Sequence, residues 1–196
     1  GYQVCPFASA ECRADCLYWA GRGAMQKVQA ARIRRTRWFF EARSSFLAAI
    51  HADVWLFAEV AKRVGMTPAI RLNGTSDLMW ERIGGGLPQA FPSVQFYDYT
   101  KIPGRRGLPP NYSLTFSFSG KNMPATLAAL ERGQNVAVPF LQRPARWMGY
   151  PTIDGDDDDL RFLDPPGVVV ALKAKGPLRR HPLSPFLGDN HRGTVH

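Results

Sequence analysis

Hydrophobic and polar positions change rhythm along this chain. From about residue 24 to residue 64, apolar side chains recur at three- and four-residue steps, and beyond that they gather into short runs that each end in polar residues. The first region predicts two helices. Gly21-Arg-Gly23 releases the chain into one over 24–43, rich in helix formers such as Met25, Gln29, Ala30 and Ala31. Ser44 and Ser45 are candidate caps for the second, in which Phe46, Ile50, Val54, Phe57, Ala61 and Val64 keep helical spacing until Gly65 ends it. The later runs, 68–73, 93–99, 112–119, 135–140 and 167–172, read as strands. Between them lie helical stretches over 78–83 and 122–131, the latter opened by Asn122, with Pro124 in its first turn, and closed by Gly133.

Strands alternating with helices predict a parallel α/β fold. The expected form is a partial or open (β/α) barrel with about six parallel strands, the sixth lying ahead of Cys5. A complete eight-unit barrel typically takes about 250 residues, more than the 196 here. A doubly wound sheet stays open as an alternative, because strand order cannot be read from sequence. The expected organisation is one α/β domain over 1–175, followed by a Pro-, Arg- and Gly-rich tail over 176–196 with the character of a flexible arm.

In either topology, ligands bind at the carboxyl ends of the strands. The polar residues expected there are Asn73, Thr75 and Asp77 after the first strand, Asp98 and Lys101 after the second, and Ser117, Ser119 and Lys121 after the third. These are the candidate cofactor or substrate contacts. Gly74 would let a backbone approach a ligand closely, while a tight turn capped by Ser76 or Asp77 accounts for the same residues. Alternation sets Asp98 and Thr100 on one side of their strand and Tyr99 and Lys101 on the other, so only one pair faces a given site.

All three cysteines, Cys5, Cys12 and Cys16, fall within twelve positions, spaced C-x6-C-x3-C. An odd, clustered set argues against a disulfide framework and for a reducing compartment. Three neighbouring thiolates point to one metal centre that they cannot close alone. The leading reading is a [4Fe–4S] cluster with one iron free of cysteine. The alternatives are a structural zinc completed by His or Asp, and free thiols.

Net charge is +9, which favours an anionic partner. The excess is local: residues 22–43 hold seven Arg or Lys against Glu41 alone, and residues 154–159 hold five Asp. Arg32, Arg34, Arg35 and Arg37 are candidate phosphate contacts, with Trp38 as a stacking platform for nucleic acid. Internal ion pairs are the competing explanation. The acidic run Asp154-Gly-Asp-Asp-Asp-Asp159 fails the EF-hand pattern, with its Gly second and Pro165 at the twelfth position. It reads as a solvated loop, a polar site of Asp154, Asp156 and Arg161, or a partner for the basic helix. His51 reads as a packed or surface residue of its helix rather than a ligand, whereas His191 and His196 sit in the tail, from which they could swing onto a metal. No Gly-x-Ser-x-Gly, Walker or His-Glu-x-x-His pattern occurs. No apolar run approaches the roughly 18 residues a membrane span needs, and no signal-peptide pattern opens the chain. The expected setting is cytoplasmic, with no membrane partner.

Cys5-Pro-Phe-Ala, Cys12-x3-Cys16-x-Tyr18, the basic stretch Arg32-Ile-Arg-Arg-Thr-Arg-Trp38, Arg71-Leu-Asn-Gly-Thr-Ser-Asp77 and Tyr97-Asp-Tyr-Thr-Lys101 together resemble the phage- and plasmid-encoded "gene product 88" family. Ile153-Asp-Gly-Asp156, Asp159-Leu-Arg-Phe-Leu-Asp164 and Leu172-Lys-Ala-Lys175 extend the resemblance over most of the chain. It implies a mobile-element setting in an infected or plasmid-bearing bacterium, and little mechanism. More distantly, the cysteine loop ahead of βα units is similar to that of radical S-adenosylmethionine enzymes, whose usual spacing is C-x3-C-x2-C. That likeness implies S-adenosylmethionine as a cofactor and redox or radical chemistry on a small or nucleotide-like substrate. The other class of function is a non-catalytic nucleic-acid or protein-binding module with a structural metal.

Overall fold

The computed structural model describes residues 1–191. It is a mixed α/β fold around an open, mostly parallel sheet of seven strands, in the order β1-β2-β3-β4-β7-β6-β5. The strands are β1 (Ala69–Arg71), β2 (Gln95–Thr100), β3 (Tyr112–Ser117), β4 (Val136–Phe140), β5 (Arg146–Trp147), β6 (Tyr150–Asp154) and β7 (Val169–Lys173). All five expected strands form. The other two make a short β5–β6 antiparallel hairpin that alternation did not reveal. Among the described residues no strand lies ahead of Cys5, and the sheet has seven strands rather than about six, with the additions on the far edge.

Contacts divide the chain into two compact units. The first comprises 1–6, 25–98 and 105–113, and the second 7–24, 99–104 and 114 onward. The first unit holds helices α2 (Gln26–Glu41) and α3 (Arg43–Arg63), β1, and the short helices α4 (Trp80–Ile83) and α5 (Leu87–Ala90). The two predicted helices are nearly continuous in sequence, separated by Ala42 with φ −143° and ψ 60°. Phe39 on α2 is their internal anchor, with ring contacts to Phe46 at 5.5 Å and Trp80 at 6.3 Å. β1 pairs in parallel with β2. Asn111 fixes the chain after α5, its side-chain amide donating to the carbonyls of Pro88, Phe91 and Val94, each at 2.9 Å.

One property of α3 departs from the sequence reading. Its 21 residues include an 18-residue window of mean hydropathy 1.2, enough by length and composition to cross a membrane, and only 11% of that window is buried. Asp53 and Glu59 interrupt the apolar run and hid it.

The second unit carries α1 (Ala10–Ala14), α6 (Met123–Glu131) and strands β4 to β7. Parallel pairing of β4 with β7 and of β7 with β6 builds its sheet. Every residue of β4 is buried, which is why it reads as a continuous apolar run rather than an alternating one. Phe116, Phe118, Leu130, Val138, Phe140 and Trp147 form the core.

The expected free arm is not free over 176–191. Leu187 is fully buried, Trp147 donates its indole N–H to the Gly188 carbonyl at 2.9 Å, and Asp189 accepts the Leu141 N–H at 2.8 Å. Its Pro- and Arg-rich composition conceals two apolar anchors, Leu178 and Leu187, which pack with Ala174. His196 lies outside the described residues. A Cβ at Gly188 would sit 2.3 Å from Phe140 Cε1 and 2.7 Å from Val138 Cγ1. Gly188→Ala is therefore expected to cost about 1–3 kcal/mol by overpacking, measured by urea denaturation. A loss within about 0.5 kcal/mol, the usual scatter of surface changes, would mean that this segment does not pack on β4.

Candidate functional site

The expected site residues divide between the two units, and each set has its own chemistry. In the second unit the cysteine loop is organised by α1. Ser9 is its N-cap: the hydroxyl accepts the Cys12 N–H at 3.0 Å and donates to the Ser119 carbonyl at 2.6 Å, satisfying a helix-start donor while tying the loop to the chain after β3. Cys12 lies inside α1, and Cys16 stands two residues past its end in extended backbone. Cys12 is buried, Cys16 half-buried, and neither is in a disulfide. Burial pushes the Cys12 thiol up, and the charge of the neighbouring Cys16 adds to that. The Lys101 ammonium, within charge and hydrogen-bond reach of Cys12, pulls the other way, as does Arg13. Cys16 also starts the 3-10 turn Leu17–Trp19, its sulfur accepting the Tyr18 N–H at 3.4 Å.

Around this pair lie several of the expected residues. Lys121 pairs with Glu11 at 3.5 Å. The Glu11 carboxyl is held below its usual range, first by a backbone N–H at the helix start and then by Ser9 and Lys121. Ser117 and Ser119 take part through their backbones: the Asn122 side chain donates to the Ser117 carbonyl at 3.0 Å and accepts the Ser119 N–H at 2.8 Å. Asn122 thus turns its side chain back to brace the loop and makes no side-chain cap at the start of α6.

Beside Cys16, Asp15 is buried, with one oxygen 2.5 Å from His181 Nδ1 and the other accepting the Ser184 hydroxyl at 2.7 Å. Sequence reading missed this trio, because 166 positions separate Asp15 from His181 and no local pattern connects them. His191, expected within reach of a metal, instead places Nε2 at 2.7 Å from the Pro185 carbonyl and its ring edge on Phe118.

In the first unit, Asn73 and Asp98 belong to a buried polar network. Asp98, 1% exposed, accepts the Asn73 N–H at 2.7 Å, the Asn73 side-chain amide at 3.1 Å and the Tyr112 hydroxyl at 2.7 Å. The Asn73 side-chain oxygen in turn accepts from Ser76 at 2.7 Å, Leu78 N–H at 3.1 Å and the Trp80 indole at 3.2 Å. Burial pushes the Asp98 carboxyl up to about 7, against the pull of Tyr112, Asn73, Arg71 and Arg105. The same burial, with the Asp98 charge, raises the Tyr112 phenol.

Asp77 is buried too, and its backbone N–H reaches the Val4 carbonyl at 2.7 Å. It stands 3.8 Å from Arg105, whose guanidinium makes a two-point ion pair with Glu81 and lies 5.8 Å from the Tyr112 ring. Thr75 is half-buried. Cys5, also half-buried, donates its N–H to Gln3 at 3.1 Å. Among the described residues no three His, Cys, Asp or Glu side chains are gathered to hold a metal ion.

The charged runs are largely accounted for locally. Asp154 pairs with Arg143, Asp156 with Lys175, and Asp158 and Asp164 with the buried Arg161. On α2, Arg34, Arg35 and Arg37 are exposed and Arg32 half-buried, with Arg37 3.5 Å from Glu41. Trp38 is tethered, its indole donating to Ser45 at 2.8 Å and its ring set edge-on to Phe46.

The family model described as Gene product 88 matches residues 1–190. No curated protein and no solved structure matches the chain.

Proposed function

We propose that this chain, which belongs to the Gene product 88 family, is a thiolate metal protein in which Cys12 and Cys16 are ligands of an iron–sulfur centre. One observation carries the reading: Cys12, four positions before Cys16 and like it in no disulfide, has both Cys16 and the ammonium of Lys101 within electrostatic reach. Anionic thiolates are the ligating form; burial holds the proton on Cys12, and the Lys101 cation opposes it. The pair supplies two donors, short of the three that an open [4Fe–4S] site requires. Cys5 is the remaining thiolate in the sequence and therefore the residue under test.

When bound, such a centre supplies electron transfer, or activation of S-adenosylmethionine at an iron that no cysteine holds. The chain's own residues hold and screen the site. Ser9 fixes the turn that presents Cys12, Lys101 offsets thiolate charge, and the Glu11–Lys121 pair borders the loop. A small or nucleotide-like substrate would meet Lys101, Lys121 and the backbone around Ser117 and Ser119. The partial (β/α) barrel belongs to the same reading, supported by strands β1 to β4 lying side by side in chain order.

Anaerobically purified protein is expected to be brown and to contain iron and acid-labile sulfide, with Cys12→Ser and Cys16→Ser each losing most of both and Cys5→Ser matching them. Stoichiometric zinc without iron would replace the cluster with a structural metal and favour the binding-module reading. Full metal content in Cys12→Ser would contradict the proposal.

A further inference from the structure

We propose that the α2–α3 helices form a docking surface for an anionic lipid bilayer, with α3 lying in the headgroup region. Trp55, Leu56, Phe57, Val60 and Val64 are each between 45% and 63% exposed within ten residues of one helix, and Met66 just beyond it is 68% exposed. A helix whose hydropathy reaches that of a membrane span, yet is 11% buried, leaves its apolar side without a protein cover. Only Val54 and Ala61 of α3 are fully buried.

Charge selects the occupant. Across residues 26–66 the cations Lys27, Arg32, Arg34, Arg35, Arg37, Arg43, Lys62 and Arg63 outnumber the acids Glu41, Asp53 and Glu59. A second copy would bring the same positive excess against itself. A nucleic acid would satisfy the arginines and leave Leu56, Val60 and Val64 in water. An anionic bilayer supplies both counterparts, phosphate and carboxylate headgroups for the cations and an acyl boundary for the exposed apolar side chains. On α2, a groove of about 650 Å³ lined by Ala30, Ile33, Arg34, Arg37, Trp38 and Glu41 sets two cations and one acid among apolar groups. The proposal revises the expectation of no membrane contact and is independent of the metal reading.

The test is co-sedimentation of the full chain with vesicles of phosphatidylcholine alone and of phosphatidylcholine mixed with phosphatidylserine, at low and high salt. Binding is expected only to the mixed vesicles and to weaken with salt. Leu56→Glu/Val60→Glu should reduce it at least about tenfold, since each removes apolar burial. Arg34→Gln/Arg35→Gln should reduce it about 25-fold, at roughly fivefold per cation. Both pairs are exposed, and circular dichroism of the variants confirms folding. A blue shift of tryptophan emission on vesicle addition, smaller in Trp55→Phe, reads insertion while keeping that side chain apolar. The idea is overturned if mixed vesicles are not bound, or if Leu56→Glu/Val60→Glu binds as well as the wild type. It is equally overturned if light scattering shows a dimer that the same variant dissolves while vesicles remain unbound, or if duplex DNA binds in place of vesicles and ignores Leu56.

Discussion

Glu81→Ala is expected to destabilise the first unit by about 3–5 kcal/mol, the cost of leaving a buried charge without its partner. Both side chains of the Arg105–Glu81 pair are almost wholly buried, and the guanidinium meets the carboxylate at two points. Asp77, an ion-pair contact at 3.8 Å, makes no hydrogen bond to Arg105, whose Nη1 lacks one. Desolvation costs an ion several kcal/mol, and only the paired geometry offsets it. Replacing both partners by apolar residues should therefore cost far less than removing one. Urea denaturation followed by tryptophan fluorescence checks this for Glu81→Ala, Arg105→Met and the double variant Glu81→Leu/Arg105→Met. A single-variant loss below about 1 kcal/mol, the range of solvent-exposed pairs, would show that the pair is hydrated.

The second large effect is a dependence of stability on pH. Asp98 in the folded protein titrates at about 7, against 3.8 for the ordinary carboxyl. Between these values the native state keeps a proton that the unfolded state has released. Stability must therefore fall as pH rises through that window, and level off above about 7. The linkage amounts to about 2–3 kcal/mol between roughly pH 5 and pH 8. Asp98→Asn removes the titration, so its own curve should be nearly flat over the same range. Trp80, bonded to Asn73 in the same network, supplies the fluorescence signal. A wild-type curve that rises with pH would mean that the three donors around Asp98 outweigh its burial.

These two predictions also mark what could be read from the sequence. The five strands were legible because their apolar runs are bounded by turns, β4 most clearly, with every residue buried. The β5–β6 hairpin was not, since β5 has two residues and β6 contains Pro151, which interrupts the strand pattern. Polar residues at strand ends were found correctly as positions, but position did not disclose partners. Asn73 and Asp98 turn inward to Trp80 and Tyr112, a use that joins residues well apart in the chain. Arg105 and Glu81 carried no motif at all. The Cys12–Cys16 pair was legible because its spacing is local: Cys12 lies in the short helix capped by Ser9, and Cys16 follows just past its end. Asp15 with His181 was not, because the tail that carries His181 looks polar and its few apolar anchors are widely spaced.

The most direct test of the central claim is X-ray absorption at the metal edge of anaerobically purified full-length protein. Cys12 and Cys16 as ligands predict sulfur neighbours at about 2.3 Å, with a short metal–metal distance if the centre is an iron–sulfur cluster, and the loss of that sulfur shell in Cys12→Ser/Cys16→Ser. A metal surrounded only by oxygen and nitrogen, or a sulfur shell unchanged in the double variant, would contradict it.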